Sequence, residues 1–268
     1  MVTPGLGRRL MLSAVKRRWR LTAVSLPLWF AQKVRLTGVL PRRVRAIPRL
    51  RLAHLLNRMS TNYVPAEGVP ERQVVLFTGC VTDAWWRDVH WATIAVLSRL
   101  GWRVRVPYGQ VCCGAIHSRA GRRGQARKLA ARNILPLEQF EGSIVIDASR
   151  CAQWVKGYGQ LLDDRERPVA VAGRAADVAE LITPDDVRAL DPRPPDGLRR
   201  VALHDPTGGA VRARSLLQAA GYELIEGGHV GADAVAVDDP GFELAVSVEP
   251  GVPPVYHLMQ LLALAARR

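Results

Sequence analysis

The sequence predicts an α/β protein in which parallel strands are covered by helices. From Gln73 onward, short runs of aliphatic and β-branched residues alternate with longer segments whose apolar residues recur at helical spacing, a pattern typical of parallel sheets. Of the 268 residues, 48% are hydrophobic and 6% are aromatic, which is the composition of a globular protein. The length suffices for one large or two modest domains.

The region that follows Gln73 predicts three strands and two helices in its first half. A short run of apolar residues defines each strand, and Gly101 ends the first helix, where glycine is a common C-terminal signal. In chain order the elements are a strand at 74–77, a helix at 89–100, a strand at 102–106, a basic helix at about 121–134 and a strand at 144–146.

The four cysteines of the chain follow these strands. Cys80 comes after the first strand in a tight turn, Cys112 and Cys113 lie in a glycine-flanked loop after the second, and Cys151 follows the third. Open α/β sheets gather their ligands at the carboxyl ends of their strands. We therefore expect the four thiols to form a single site.

The second half of the chain resembles a degenerate copy of the first. Residues 201–207 parallel residues 74–80, so that Thr207 stands where the first half has a cysteine, and Phe242 stands at the position of Cys151. The loop with the paired cysteines has no counterpart. Repeats that have lost their functional residues usually persist for packing. We therefore predict two Rossmann-like α/β lobes related by an internal duplication and preceded by a basic helical N-terminal arm.

These patterns divide the chain into three parts. A stretch rich in proline and aspartate at 191–196 predicts a linker between the lobes. The predicted parts are a basic, mainly helical arm at 1–72, a cysteine-rich domain at 73–190 and a degenerate second repeat at 197–268.

The positive charge of the chain is concentrated in the arm. The formal net charge is +14, and residues 1–72 contain fifteen Lys and Arg against Glu67 and Glu71, a net of +13. No glycine–arginine or aromatic–arginine interleaving in the arm supports an RNA-binding tail. Three interpretations of the basic arm remain: it docks a partner subunit, it contacts anionic lipid, or it is a solvated basic face. Nucleic acid is the least supported partner.

The apolar run in the arm is too short to cross a membrane. It covers residues 21–32, between cationic flanks, whereas a membrane-spanning helix needs about 20 apolar residues. No signal-peptide cleavage pattern follows it. We expect a cytoplasmic protein, with peripheral contact at the inner face of the membrane through residues 8–58 as one interpretation.

The cysteines are open to several chemical interpretations. Buried free thiols behave as small apolar residues, which does not account for an adjacent pair in a glycine-flanked loop. Structural zinc commonly uses Cys-x-x-Cys knuckles, and the sequence has none. A catalytic thiol would use Cys112 or Cys113 with His117 as its base and leaves the other cysteines unexplained. An iron–sulfur cluster takes about four thiolates from widely separated positions and is the favoured interpretation.

Three segments resemble the cysteine-rich CCG domain family: Thr78-Gly79-Cys80, Cys112-Cys113-Gly114-Ala115 and Ala148-Ser149-Arg150-Cys151. That family includes the iron–sulfur subunit of bacterial glycolate oxidase, lactate-utilisation iron–sulfur proteins and a subunit of heterodisulfide reductase. The glycolate oxidase branch is the most similar, from the run that ends at His117 and from Tyr158-Gly159 after the last cysteine. The resemblance implies an iron–sulfur cluster held by Cys80, Cys112, Cys113 and Cys151.

The sequence departs from the family in three ways. Members of the glycolate oxidase branch usually carry an N-terminal ferredoxin-like domain, and this sequence begins after that point, so we expect another polypeptide to supply it. Two positions of the second cysteine set hold Thr207 and Phe242. Ala148 stands where heterodisulfide-type members have a further cysteine, which favours a conventional [4Fe-4S] cluster over a larger noncubane one.

The resemblance implies an electron-transfer subunit that is not itself catalytic. Its partners would be a flavoprotein that dehydrogenates a 2-hydroxy acid such as glycolate or lactate, and a ferredoxin-like subunit. The alternative is a scaffold or assembly subunit that keeps the fold, has a reduced redox role and docks partners or membrane through the arm.

Residues around the cysteines also have expected roles. Gly79 and Gly114 are expected to let backbone amides approach the sulfur atoms, since such hydrogen bonds tune a cluster's potential. Arg119, Arg122 and Arg123 either offset the cluster's negative charge or form a solvated helix face.

Overall fold

Two mainly parallel β-sheets with flanking helices form the framework of the chain, which confirms the predicted α/β class. The computed structural model describes residues 12–14, 18–41, 44, 47–63, 72–204, 211–247 and 249–267. The predicted counterpart of Cys80, Thr207, lies outside these ranges, as do several arginines of the arm.

The first sheet contains β1 (Thr61–Tyr63), β2 (Arg72–Phe77), β3 (Trp102–Val106), β4 (Ser143–Ile146) and β5 (Ala175–Asp177). The strand order is β1-β3-β2-β4-β5, and all neighbours are parallel except β1 with β3. The three predicted strands are confirmed as β2, β3 and β4. β1 lies in the segment predicted as the arm, so that segment also contributes an edge strand to the sheet.

The helices around this sheet are α1 (Arg18–Lys33), α2 (Leu52–Leu56), α3 (Val81–Trp85), α4 (Arg87–Arg99), α5 (Ala115–Arg119), α6 (Arg123–Glu138), α7 (Ser149–Lys156), α8 (Tyr158–Leu161), α9 (Glu166–Arg174), α10 (Val178–Leu181) and α11 (Pro184–Ala189). The helix predicted at 89–100 is confirmed as α4. The basic helix predicted at about 121–134 differs: it starts at Arg123, because Gly121 adopts a left-handed φ of +74°. It continues beyond Pro136, which is buried with Leu137 and cannot donate a helical hydrogen bond.

The second sheet contains β6 (Arg200–Leu203), β7 (Glu223–Ile225), β8 (Ala234–Val237) and β9 (Val255–His257). Its order, β7-β6-β8-β9, and its parallel pairing repeat the arrangement β3-β2-β4-β5 of the first sheet. The helices of this half are α12 (Val211–Ala219), α13 (Pro240–Val246) and α14 (Leu258–Ala265). Residues 226–233 join β7 to β8 without a helix, where the first half has the cysteine loop, α5 and α6. The repeated strand order is compatible with the predicted duplication.

A single apolar cluster joins the two halves. It includes Val74 from β2, Leu97 from α4, and Leu258 and Leu262 from α14, all buried. Helices α4 and α14 pack against each other across the boundary. The loops after β4 and β8 also meet, because the backbone N–H of Ser149 donates to the carbonyl of Asp238 at 3.3 Å. The carboxyl ends of these two strands therefore lie close together.

Helix α1 packs on the first half next to α2 and α3. Leu21 and Leu55 are buried with Ala84 in a small apolar cluster that also contacts Cys80 and Trp85. The arm helix therefore lies beside the turn that carries the first cysteine. None of the described helices is both long enough and apolar enough to cross a bilayer.

Candidate metal centre

The four cysteines lie around one cavity of about 270 Å³. Cys80 lies between β2 and α3, Cys112 and Cys113 lie between β3 and α5, and Cys151 is in the first turn of α7, after β4. β2, β3 and β4 are neighbours in the sheet. Their carboxyl ends therefore bring the four thiols to one place, as their positions after the strands predict.

The four thiols contact one another in the cavity. The sulfur atoms of Cys113 and Cys151 are 3.1 Å apart, and Cys112 is within hydrogen-bonding contact of Cys80 and Cys113. Hydrogen bonds from Cys113 and Cys80 hold the pKa of Cys112 well below its ordinary value, whereas bonding to Cys112 raises the pKa of both neighbours. Among Cys80, Cys112 and Cys113, the thiol of Cys112 therefore ionises first.

Backbone amides approach two of the sulfurs. The N–H of Gly114 lowers the pKa of Cys112, and the N–H of Val81 acts in the same direction on Cys80. Gly114 has a left-handed φ of +101°, and a Cβ atom there would lie 3.0 Å from the carbonyl oxygen of Ala126. The amide contact expected at Gly114 is present, and Val81 provides a second one next to Cys80.

Hydrogen bonds from buried polar side chains hold the paired-cysteine loop in place. Asn133 on α6 accepts from the backbone N–H of Val111 at 2.8 Å and donates to the carbonyl of Cys112 at 3.1 Å. The Tyr158 hydroxyl donates to the carbonyl of Cys113 at 2.8 Å. Gln110 accepts from the N–H of Thr78 and donates to the Leu76 carbonyl, which ties this loop to the end of β2.

A buried ion pair lies below the first cysteine turn. His90 Nδ1 is 2.7 Å from Asp147 Oδ2, and its Nε2 is 3.1 Å from the carbonyl oxygen of Thr78. Both partners are acceptors, so both ring nitrogens carry protons. Burial alone would lower the pKa of His90, but the charge and hydrogen bond of Asp147 raise it overall. The pair links α4 to the ends of β2 and β4.

His117 lies beside the paired cysteines and contacts the arm. It is fully buried, and its Nε2 donates to the carbonyl of Leu12 at 3.1 Å. The ring also lies close enough to Cys112 to contribute to the lowered pKa of that thiol. From the sequence, the one role predicted for His117 was that of a base for a catalytic thiol. Cys112 and Cys113 are 1% and 2% exposed, which leaves a substrate little access to either sulfur.

The second half contributes the opposite wall of the cavity. Asp239 and Gly241 line it together with Arg150. The guanidinium of Arg150 donates to Asp239 at 2.6 and 3.1 Å and lies 4.3 Å from the centroid of the Phe242 ring. Phe242, the predicted counterpart of Cys151, thus packs against a cation.

The donor chemistry of the cavity fits an iron–sulfur cluster. Four soft sulfur donors converge there from three loops, and no disulfide links them. Within the described ranges, no group of three or more His, Cys, Asp and Glu side chains has the spacing of a single-ion site. Clusters accept thiolates spread over several irons, whereas structural zinc needs four ligands around one point.

Of the three arginines expected near the cysteines, only Arg119 is among the described lining residues.

The contacts of several site residues were not predicted from the sequence. His90, Asn133 and Arg150 bind segments that are distant along the chain, and a single buried polar residue inside a helical pattern does not reveal such a partner. Asp147 directly follows a predicted strand, and that position was the one available indication.

Comparison with protein families finds a match in the first half. Residues 74–156 match the family model described as a cysteine-rich domain, CCG. This segment contains all four cysteines, and the match confirms the resemblance noted from the three cysteine segments.

Three curated relatives show what the chain is similar to. The chain is similar to the probable glycolate oxidase iron-sulfur subunit of Bacillus subtilis (strain 168), at 27% identity over 48% of this chain and 30% of that protein. It is similar to lactate utilization protein A of Bacillus velezensis, at 33% identity over 44% of this chain and 49% of that protein. It is also similar to one subunit of the fumarate reductase (CoM/CoB) of Methanothermobacter marburgensis, at 31% identity over 51% of this chain and 26% of that protein. The matched part spans less than half of each relative's length.

Proposed function

We propose that the chain is an iron–sulfur electron-transfer subunit that binds one [4Fe-4S] cluster through Cys80, Cys112, Cys113 and Cys151. The observation that supports this most is the convergence of four thiols from three strand-end loops in one cavity. When bound, such a cluster accepts and releases single electrons. The relative named above as an iron-sulfur subunit supports the same chemistry.

The surrounding residues would hold the cluster and set its environment. The near-complete burial of Cys112 and Cys113 excludes water from two of the four ligands. The N–H groups of Gly114 and Val81 would donate to ligand sulfurs, and the guanidinium of Arg150 would place a permanent positive charge at the rim. The amide hydrogen bonds and the positive charge favour the more negative, reduced state.

The proposed partners are a flavoprotein that dehydrogenates a 2-hydroxy acid and a ferredoxin-like subunit. The similarity to glycolate oxidase and lactate utilization proteins supports this substrate class. We propose a cytoplasmic location, with peripheral membrane contact through the arm at residues 8–58. The described helices include none that could cross the bilayer.

The domain boundaries belong to the same proposal. A basic arm at 1–72 precedes a CCG domain at 73–190 that binds the cluster. A degenerate second repeat at 197–268 provides one wall of the cavity.

Anaerobic purification tests the cluster. We expect about four iron and four sulfide per chain after reconstitution, a brown chromophore and an electron paramagnetic resonance signal on reduction. Cys112→Ser and Cys151→Ser should lose the chromophore, whereas Thr207→Ser, at the predicted counterpart of Cys80, should keep it. Trace iron in the wild-type chain would favour the scaffold alternative. One equivalent of zinc would contradict both.

A further inference from the structure

Helix α1 exposes a stripe of large apolar side chains. Trp19, Leu26 and Phe30 are 61%, 37% and 59% exposed. Their spacing of seven and four residues places them on one face of the helix, and Val34, 43% exposed, follows just beyond its end. We call these four residues the α1 stripe. An apolar row of this kind on the outside of a protein marks an interaction surface.

Contacts on the opposite face hold α1 in this orientation. Leu21 and Ser25 are 1% exposed. The indole N–H of Trp85 donates to the Ser25 hydroxyl at 2.9 Å, and the Thr22 hydroxyl donates to the carbonyl of Leu55 at 2.6 Å. Rolling the helix to bury the α1 stripe would break these bonds. The helix is therefore apolar on both faces, and the described residues of the chain pack against one of them.

The charge around the α1 stripe specifies what the second face meets. Arg20 lies next to Trp19, with its guanidinium 5.1 Å from the ring centroid, and Lys33 and Arg35 are exposed at the other end of the helix. Residues 1–66 contain no Asp or Glu. Aromatic and aliphatic side chains flanked only by cations suit the interface of an anionic bilayer, where the side chains enter the acyl boundary and the cations meet headgroups.

We propose that the α1 stripe docks the chain on an anionic membrane surface. α1 lies in the plane of the interface, with Trp19, Leu26 and Phe30 inserted and with Arg20, Lys33 and Arg35 at the headgroups. Trp85 lines the cysteine cavity and contacts the inner side of α1. Docking thus holds that cavity about one helix diameter, ~10 Å, behind the bilayer surface. Docking through α1 rests on the proposed function and specifies the membrane contact proposed there for the arm, and electron exchange near the membrane also rests on the proposed cluster.

Vesicle flotation tests the docking surface with the full chain. We expect binding to vesicles of phosphatidylcholine with about 30% phosphatidylglycerol, and weak binding to phosphatidylcholine alone. The double variant Trp19→Ser/Phe30→Ser should lower the partition coefficient about tenfold or more, since two large apolar side chains are removed. The matched control Leu135→Ser changes a side chain that is 58% exposed on α6 and should bind as the wild type does. Lipids brominated in the acyl chain should quench the wild-type tryptophan fluorescence more than that of Trp19→Phe.

Several outcomes would overturn the proposal. The first is that the wild type does not bind anionic vesicles, and the second is that it binds neutral vesicles equally well. The third is that the double variant binds anionic vesicles as the wild type does. A further outcome is that the wild type does not bind vesicles and the double variant no longer binds a purified flavoprotein partner. In that case the α1 stripe would be a protein interface instead. Iron content is measured in parallel. Low iron with normal vesicle binding would contradict the cluster alone, and normal iron without vesicle binding would contradict docking alone.

Discussion

The Arg150 guanidinium and the Asp239 carboxylate form an ion pair, 2.6 Å from Nη2 to Oδ1, that joins the two halves of the chain at the rim of the cysteine cavity. Asp239 also accepts from the backbone N–H of Arg150 at 3.2 Å. A Cβ atom added at Gly241 would overlap the guanidinium. The loop of the second half that contains Asp239 and Gly241 therefore positions a cation beside Cys151.

Replacing Arg150 should lower the midpoint potential of the cluster. Arg150→Gln removes a positive charge that favours the reduced, more negative state, and we expect about a tenfold weaker affinity for the electron, which is roughly 59 mV for one electron. Gly241→Ala should shift the potential in the same direction by displacing the guanidinium. The control Arg123→Gln, on an exposed residue, should leave it unchanged. A redox titration followed by electron paramagnetic resonance measures all three, and an unshifted Arg150→Gln with full iron would contradict this role.

Gly114→Ala should distort the paired-cysteine loop. The left-handed φ of +101° disfavours any Cβ by about 1–2 kcal/mol, and the new methyl group would press on the Ala126 carbonyl and the Trp154 indole. We expect iron content after reconstitution to fall well below that of the wild type. Gly124→Ala is the matched control, since Gly124 has open space around it and no positive φ. That variant should keep its iron and gain roughly 0.5–1 kcal/mol from helix propensity. Equal iron in the two variants would contradict the prediction.

Asn133→Ala should destabilise the fold and loosen the cysteine loop together. The change leaves the buried N–H of Val111 without its partner and removes one hydrogen bond to the Cys112 carbonyl. An unsatisfied buried group costs about 1–3 kcal/mol. Urea unfolding should show this loss, and reconstituted protein should release iron to a chelator faster than the wild type. Asn62→Ala, on the exposed edge strand β1, should change neither measurement; an equal effect there would show that the loss is not specific to the loop.

The periodicity of the sequence predicted the framework well, because local patterns determine it. β2, β3 and β4 are short apolar runs, and α4 has clear helical spacing with Gly101 after it. The convergence of Cys80, Cys112–Cys113 and Cys151 followed from the rule that parallel strands carry their ligands at one edge. These inferences needed no knowledge of which side chains contact each other.

The remaining features depend on tertiary contacts. Arg150 follows Ser149 in an ordinary helix start, and nothing near it in sequence indicates Asp239 as its partner. β1 is short and lies in a basic segment, so that its pairing with β3 is visible only in the folded sheet. The break between α5 and α6 comes from a left-handed glycine that periodicity treats as a helix residue.

Asp147→Asn should destabilise the first half of the chain most strongly at mildly acidic pH. Removing one partner of a buried ion pair costs about 3–5 kcal/mol, because the other charge remains buried. The raised pKa of His90 means that its contribution is fully present below the ordinary histidine value of 6.5 and is lost as the pH rises through the higher folded value. The pKa of Asp147 is lowered, despite burial that would raise it, by the charge of and hydrogen bond to His90. Its contribution is therefore present above the ordinary value of 3.8 and is lost only as the pH falls through the lower folded value.

The difference in unfolding free energy between the wild type and Asp147→Asn should therefore be largest between about pH 4 and 6.5 and should shrink at higher pH. Urea unfolding of iron-free protein at about pH 5.5, 7 and 8.5 measures it without involvement of the cluster. Asp163→Asn is the control, because Asp163 pairs with Arg127 at the exposed surface, where solvent screens the interaction. It should show little change at any of these pH values. A difference for Asp147→Asn that stays the same from pH 5.5 to 8.5 would mean that His90 is neutral in the folded chain, because the energy lost would then not depend on an imidazolium, and a difference that grows with pH would also contradict the prediction.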